Sequence, residues 1–416
     1  MTVPVYDVAI IGAGAAGLMT AIAAKPFFPK VLLLDGREVI GAKILMSGGT
    51  RCNVTNHKVT EKDFNGGNLR AVKNVLAAFP SDKAAAFFKT LGVDLVLEPG
   101  GKYFPATHEA KTVLDALVRK MREEGVELKT PRKVKAVSKT AAGFEIRGEG
   151  FSYAAKAVVL CTGGLSFPST GSDGTGYGVA QSLGHSLVAT TPSLTPLLTD
   201  DPDWKKLSGV ALPCRLELRH EGKSLAEYEG DFLFTHFGFS GPVVLDMSRH
   251  WIRLEDNSKA EMSANFLPSL DREKLRDKWV RAAERSPTKR VKNFLSEALP
   301  ERFVEIFLRK NRFSEDAALG QTKREDRDKL IAALLAQPLR VSGSLGYKKA
   351  EVTAGGVGFD EVDSKTLESR LVPGLFFAGE ILDVDGRIGG FNFQWAWSSG
   401  VAVAQGLARK YGAKRN

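Results

Sequence analysis

Val5-Tyr6-Asp7-Val8-Ala9-Ile10-Ile11-Gly12-Ala13-Gly14-Ala15-Ala16-Gly17 decides the fold class of this chain. The first seven residues are β-rich and apolar at every position from Val8, which fits a central parallel strand covered on both faces. Gly12-x-Gly14-x-x-Gly17 follows, then an Ala/Leu/Met/Ile run to Lys25 that reads as a helix. Val31-Leu32-Leu33-Leu34 reads as a second strand, ending at Asp35 and Gly36. Strand, glycine turn, helix and strand make a βαβ unit of about 30 residues. In such a unit Gly12 permits the tight turn, Gly14 lets backbone approach a pyrophosphate, and Gly17 lets helix and strand pack closely. The free N–H groups from Ala15 onward favour phosphate charge. Asp35 stands where a carboxylate accepts ribose hydroxyls, which suits FAD or NAD; Arg37 close by weakens the case against a ribose 2′-phosphate. The bland alternative, a tight turn without a ligand, leaves the ordered acid unexplained.

The remainder of the chain bounds the class. Its 416 residues suffice for two or three domains, and 43% apolar with 25% charged residues is ordinary globular usage. Cys52, Cys161 and Cys214 form no CxxC pair, which argues against a disulfide scaffold, a zinc ribbon or a redox dithiol and suits a reducing cytoplasm. No His/Asp/Glu cluster has metal-ligand spacing, so no metal is expected. Two uncharged stretches, 8–24 and 388–408, are too glycine-rich or too polar to cross a membrane.

Helical patterns are expected near 69–79, 81–91 and 109–124, a third parallel strand at 126–129, a small β-meander at 134–138 and 143–148, and a buried strand at 157–160 running into Thr162-Gly163-Gly164. Strand-like alternation dominates from about Pro192, and a charged helical pattern runs from Asp271. Strand and turn signals return near Val341, and Leu375-Phe376-Phe377-Ala378-Gly379-Glu380 is another buried strand before a last helix. The expected organisation is α/β: a Rossmann-like FAD-binding domain (1–191 and 341–416) interrupted by a β-rich, barrel-like insert (192–270) and a basic helical insert (271–340).

Three further glycine clusters fit one extended cofactor. Lys43 to Asn56, including Ser47, Gly48, Gly49, Arg51, Cys52 and Asn53, can run flat against a planar ring. Thr162-Gly163-Gly164 closes a strand. Gly379, Glu380 and Asp383 precede Gly389-Gly390-Phe391-Asn392-Phe393, where the N-terminus of the final helix suits negative charge on a reduced flavin.

At these motifs, together with Phe234-Thr235-His236-Phe237-Gly238-Phe239-Ser240-Gly241-Pro242, Glu351-Val352-Thr353-Ala354-Gly355-Gly356-Val357 and Phe377 to Ser399, the chain resembles the bacterial aminoacetone oxidase-like family. These are FAD-dependent oxidoreductases of the two-dinucleotide-binding-domain group, which includes a bile-acid-pathway flavoprotein and has been associated with uridine reduction in ribosomal RNA. Thr50 departs from the family, which usually has a third glycine there; Phe393 falls at a position commonly Leu or Phe. The resemblance implies FAD contacts at Gly12, Gly14, Gly17, Asp35, Lys43, Gly49, Arg51, Cys52, Asn53, Val134, Gly163, Glu380, Asn392 and Phe393. The chain reads as a flavoenzyme in which hydride enters at flavin N5 from NAD(P)H or another reductant and leaves to an unsaturated substrate or to oxygen; no second complete GxGxxG occurs, so any nicotinamide is expected to visit transiently.

An unsaturated substrate is expected, and three readings stand side by side: a uracil ring of ribosomal RNA, a small molecule or amine, and a non-enzymatic flavin protein. Cys52 and His236 are the candidate acids. Each has a plainer role, Cys52 as a small packed residue and His236 as a loop support. Of the net charge of +10, residues 272–312 hold 13 Lys and Arg against 6 Asp and Glu. That surplus suits RNA, or simply a solvated helical face.

Overall fold

The computed structural model describes residues 5–412, and the chain forms two compact units, Met1–Pro192 with Glu351–Asn416, and Ser193–Ala350. In the first unit a parallel sheet is built from β1 (Val5–Ile11), β2 (Val31–Leu34), β3 (Glu127–Lys129), β4 (Phe151–Leu160) and β5 (Leu375–Phe377), in the order β3-β2-β1-β4-β5. The meander Val134–Thr140 and Gly143–Gly148 joins antiparallel along the first half of β4. Both faces of the sheet are covered, so Val8 to Ile10 and Leu32 to Leu34 are fully buried.

Register is what matters for function. Ile11 lies level with Leu34 and Leu160, and Leu160 with Phe377. The turns at Gly12, Asp35, Cys161-Thr162-Gly163 and Ala378-Gly379-Glu380 therefore leave one carboxyl edge, where open α/β sheets bind ligands. The edge is tied by backbone bonds from Gly12 N to Leu34 O (2.7 Å), Cys161 N to Ile11 O (2.8 Å) and Ala378 N to Leu160 O (3.0 Å). The first helix (Ala15–Ala24) packs against the last (Phe391–Tyr411), where a Cβ on Gly400 would stand 3.0 Å from Ala16 O.

The second unit holds a seven-stranded antiparallel sheet in the order Gln337–Leu339, Ala260–Asn265, Ala211–His220, Lys223–Phe234, Gly238–Ser240, Leu197–Leu198, Gly343–Ser344. Along Ala211–His220 the buried residues alternate at Leu212, Cys214, Leu216 and Leu218, leaving one apolar face to be covered. Trp279, Phe303 and Phe307 from the helices share one core with that face. The β-rich piece expected at 192–270 and the helical piece expected at 271–340 lie within this one compact unit and share its core, and the first unit resumes at Glu351.

A buried polar group in the first unit makes its stability depend on pH. The Ser369 hydroxyl accepts from the N–H groups of Leu371 (3.1 Å) and Val372 (2.8 Å) and donates to His185 Nε2 (2.8 Å). This leaves His185 Nδ1–H for Glu361 (3.1 Å). The order of groups resembles a hydrolytic triad, but Ser369 is buried and doubly engaged by backbone, so it serves as a structural pin. Burial holds the His185 imidazole below its ordinary 6.5 against the opposing pull of Glu361. The unfolded chain therefore binds more protons below pH 6.5, and stability falls as pH drops through that value. His250 in the second unit, pushed down to about 4 by burial and Arg249, acts with the same sign. Urea unfolding at about pH 7.5 and 5.5 is expected to show lower stability in acid, with a shallower slope in His185→Gln; equal slopes would refute the assignment.

Candidate flavin site

The glycine turn is built as its sequence requires. Gly12 has φ +103°, and a Cβ there would meet Cys161 O at 2.4 Å. At Gly17 a Cβ would fall 1.8 Å from Gly12 O, yet at Gly14 it would meet nothing within 4 Å. Gly14 caps the first helix with no side-chain hydrogen bond, so the helix offers uncapped N–H groups to open space. Asp35 accepts from Ala13 N (2.7 Å) and Arg37 N (2.8 Å), which fixes the turn to the end of β2 and leaves further lone pairs. Arg37 donates to Ser169 O. Gly36 lies beside Lys133, one residue before the buried Val134.

Lys43 to Asn56 is not the flat loop expected from its glycines. Ala42–Thr50 begins as a helix and breaks at Ser47; Gly48, Gly49, Thr50 and Cys52 then take positive φ (55°, 66°, 69° and 60°). The segment interlocks with the start of the last helix. The Asn53 amide nitrogen faces the carbonyls of Thr55 (3.0 Å) and Tyr103 (3.2 Å), and its oxygen accepts from Gly390 N (3.0 Å). Asn56 donates to Gly389 O (3.0 Å), Thr55 to Gln394 (2.6 Å) and the Trp397 indole to Val54 O (2.9 Å). Two motifs more than 330 residues apart in sequence thus form one hydrogen-bonded body. Thr50 is exposed and β-branched, and left-handed backbone costs such a residue about 1–2 kcal/mol, against about 0.5–1 kcal/mol for the extra freedom of glycine. Thr50→Gly is therefore expected to raise the melting temperature by about 2 °C in calorimetry. A lower midpoint would show that Thr50 is unstrained.

Behind this body lies a polar cluster. Glu380 accepts from Ser166 Oγ (2.6 Å) and Thr353 N (2.9 Å) and pairs with Lys43, whose ammonium also donates to Ser166 Oγ (2.6 Å). Thr353 Oγ1 accepts from the N–H groups of Leu165 (2.8 Å) and Ser166 (3.1 Å). Sequence reasoning did not single out Ser166 or Thr353. The signal was their place, two residues beyond Gly164 and within Glu351 to Val357.

Several expected site residues have structural partners. Arg51 donates to Glu98 (2.8 Å) and lies 4.0 Å above the Phe104 ring, so its charge is matched by a carboxylate. Asp383 accepts from Gly67 N (3.0 Å) and is buried, holding the 66–67 turn. The Cys52 thiol is fully buried, and burial pushes it up to about 12 despite a hydrogen bond with Ser47. Thr162 Oγ1 is sealed in the interior, and Gly163 and Gly164 abut Ser172 and Thr353. The Trp395 indole donates to Gly379 O (3.1 Å). Asn392 bonds both backbone groups of Gly386 (2.8 and 2.9 Å), Phe391 packs edge-on against Phe64, and Phe393 stacks on Trp397. His236 belongs to the second unit, exposed in the turn that Thr235 and Gly238 close.

FAD fits the residues of the first unit: an uncapped helix start faces open space at Gly14, an acid ends β2, and a second uncapped helix start stands at Gly390. Among the described residues no group of His, Cys, Asp and Glu has the makings of a metal site, and no helix is long and apolar enough to cross a membrane.

Comparison with known proteins agrees. Residues 6–406 match the HI0933-like protein Rossmann domain family. The 3-dehydro-bile acid delta(4,6)-reductase of Clostridium scindens is 32% identical, covering 97% of this chain and 99% of its own. The ribosomal RNA dihydrouridine synthase of Escherichia coli is 35% identical, covering 97% and 98%. A solved 3-ketosteroid-delta4-(5alpha)-dehydrogenase from Rhodococcus jostii RHA1 shares the fold, with a TM-score of 0.50 at 16% identity over 96% of this chain and 97% of that one. The chain belongs to the HI0933-like Rossmann-domain family and is an FAD-dependent oxidoreductase.

Proposed function

We propose that this enzyme reduces the C5–C6 double bond of a uracil ring in ribosomal RNA, with NAD(P)H as a visiting electron donor, in the cytoplasm. In balance, a hydride equivalent and a proton add across the double bond while NAD(P)H becomes NAD(P)+. The observation that carries the substrate is the basic surplus of 13 against 6 over residues 272–312, which a small ring system with a single carboxylate does not call for. Relatives from Escherichia coli and Haemophilus influenzae, 35% and 32% identical, bear the name ribosomal RNA dihydrouridine synthase.

Bound FAD supplies the two-electron redox chemistry. The chain's part is to hold it. Gly14 and Ala15 would present N–H groups to the pyrophosphate across the turn that Gly12 and Gly17 shape, Asp35 would take ribose hydroxyls, and Gly36 with Val134 would flank the adenine. Ser47 to Asn53, Gly163 and Gly389 to Phe393 would line the ring, and Lys43 with Glu380 would support its polar edge. Of the two candidate acids, His236 is exposed, whereas the sealed Cys52 thiol, pushed up by burial, is better suited to holding its loop.

Nucleoside mass spectrometry of ribosomal RNA from a deletion strain tests the substrate. Loss of dihydrouridine, restored by the wild-type gene, supports the reading. Unchanged dihydrouridine, with NAD(P)H consumed on an unsaturated steroid, favours the small-molecule reading that the Clostridium scindens relative suggests.

A further inference from the structure

The basic surplus is not evenly spent within the second unit. From Lys289 to Lys310 most cations are matched: Lys289 pairs with Glu297, Lys292 with Glu301 (3.0 Å) and Glu305 (2.5 Å), Arg290 with Asp316 (3.2 Å), Arg309 with Asp203 (3.0 Å) and Lys310 with Asp201. The helix Arg272–Arg285 differs. Leu275 and Trp279 turn into the core and fix the helix's rotation. Lys274, Lys278, Arg281 and Arg285 then recur at steps of four, three and four residues on one exposed flank. Among the described residues only Lys274 of these four has an ion pair, with Asp271 at 3.1 Å. The acids Glu273, Asp277 and Glu284 fall on a separate line of the same helix.

Resting on the proposed RNA substrate, we propose that this flank, Lys274-Lys278-Arg281-Arg285, is a docking rail for the RNA sugar–phosphate backbone. Steps of about 4.5 and 6 Å along the axis give a row of cations with the reach to meet successive phosphates of one strand. Two guanidinium groups add forked donors suited to phosphate oxygens. An anionic membrane is the other polyanion to weigh. The exposed residues of this helix include no large apolar side chain to insert, so the rail lacks the second half of an interfacial helix.

The test uses the full-length, flavin-loaded protein with protein-free ribosomal RNA as one probe and phosphatidylglycerol vesicles as the other, titrated across salt. Replacing Lys278, Arg281 and Arg285 together by Gln is expected to weaken RNA binding at least about tenfold near 0.1 M salt. It should also make the slope of log K against log salt shallower by about 2, at about 0.7 per lost contact with a single strand. Each single Gln variant should shift the slope by about a third of that, while flavin content and melting temperature stay at wild-type values.

An unchanged slope and affinity in the triple variant overturn the rail, as does wild-type protein that prefers vesicles to RNA. The two proposals separate cleanly. Dihydrouridine formation with undiminished binding by the triple variant removes the rail and keeps the reaction. Rail-dependent binding without dihydrouridine formation keeps the rail and removes the reaction.

Discussion

Gly14→Ala will yield a folded protein that purifies with little flavin, whereas Gly17→Ala will barely fold. The two glycines are three residues apart in one motif, yet their surroundings are opposite. At Gly14 the backbone is extended (φ −81°, ψ −165°), a conformation alanine adopts freely, and a Cβ would meet nothing within 4 Å. Its methyl group therefore leaves the polypeptide intact and enters the space where the pyrophosphate must approach. Overpacking of that kind costs about 1–3 kcal/mol, or roughly 10- to 100-fold in the dissociation constant for FAD.

At Gly17 the same methyl group would stand 1.8 Å from the Gly12 carbonyl oxygen, and Cys161 Cβ would be 3.4 Å away. Relief requires the helix to leave the strand, and several kcal/mol is a large part of the about 5–15 kcal/mol that holds a domain together. Visible absorbance of the purified proteins and thermal unfolding with and without added FAD give the result. A flavin-replete Gly14→Ala, or a Gly17→Ala with the wild-type melting temperature, would contradict this account of the turn.

That contrast shows what the sequence makes legible. The constraints at Gly12, Gly14, Gly17 and Asp35 act over a few residues and a single βαβ unit, so spacing alone exposes them. The level ends of β1, β2, β4 and β5 follow from buried runs that end in glycine or acid, and these too are visible in order. In the second unit, alternation along Ala211–His220 and helical periodicity from Asp271 reveal the two element types but not that Trp279 and Phe303 complete the same core.

Partnerships across long sequence separations leave no local trace. Glu98 neutralising Arg51, and Gln394 meeting Thr55, join residues whose neighbours in sequence say nothing of each other. Thr50 is a case of the opposite kind. A position at φ +69° asks for glycine, and the departure from the family's usual residue was plain in the sequence before its backbone angle gave the reason.

The polar cluster behind the flavin site gives the second large effect. In Glu380→Ala the Lys43 ammonium keeps only Ser166 Oγ, and Thr353 N loses its acceptor. With the Lys43 and Glu380 side chains only 27% and 15% exposed, solvent replaces those bonds poorly. Leaving one member of such a pair alone costs about 3 kcal/mol, largely as uncompensated desolvation. Glu380→Gln keeps a carbonyl oxygen for Thr353 N but leaves the Lys43 charge unpaired, so it should lose less than Glu380→Ala without matching the wild type. Lys43→Met combined with Glu380→Leu removes both charges, and replacing a paired set by apolar groups of similar volume is often close to neutral.

The double variant is therefore expected to melt above Glu380→Ala. Its flavin content decides what the cluster is for. If Lys43 and Glu380 support the cofactor, the restored fold stays flavin-poor, and added FAD raises its melting temperature less than that of the wild type. A double variant that regains both stability and flavin would reduce the cluster to a structural tie between the Ala42–Thr50 segment and the end of β5. A Glu380→Ala variant with wild-type melting would show that Ser166 and Thr353 hold Lys43 without it.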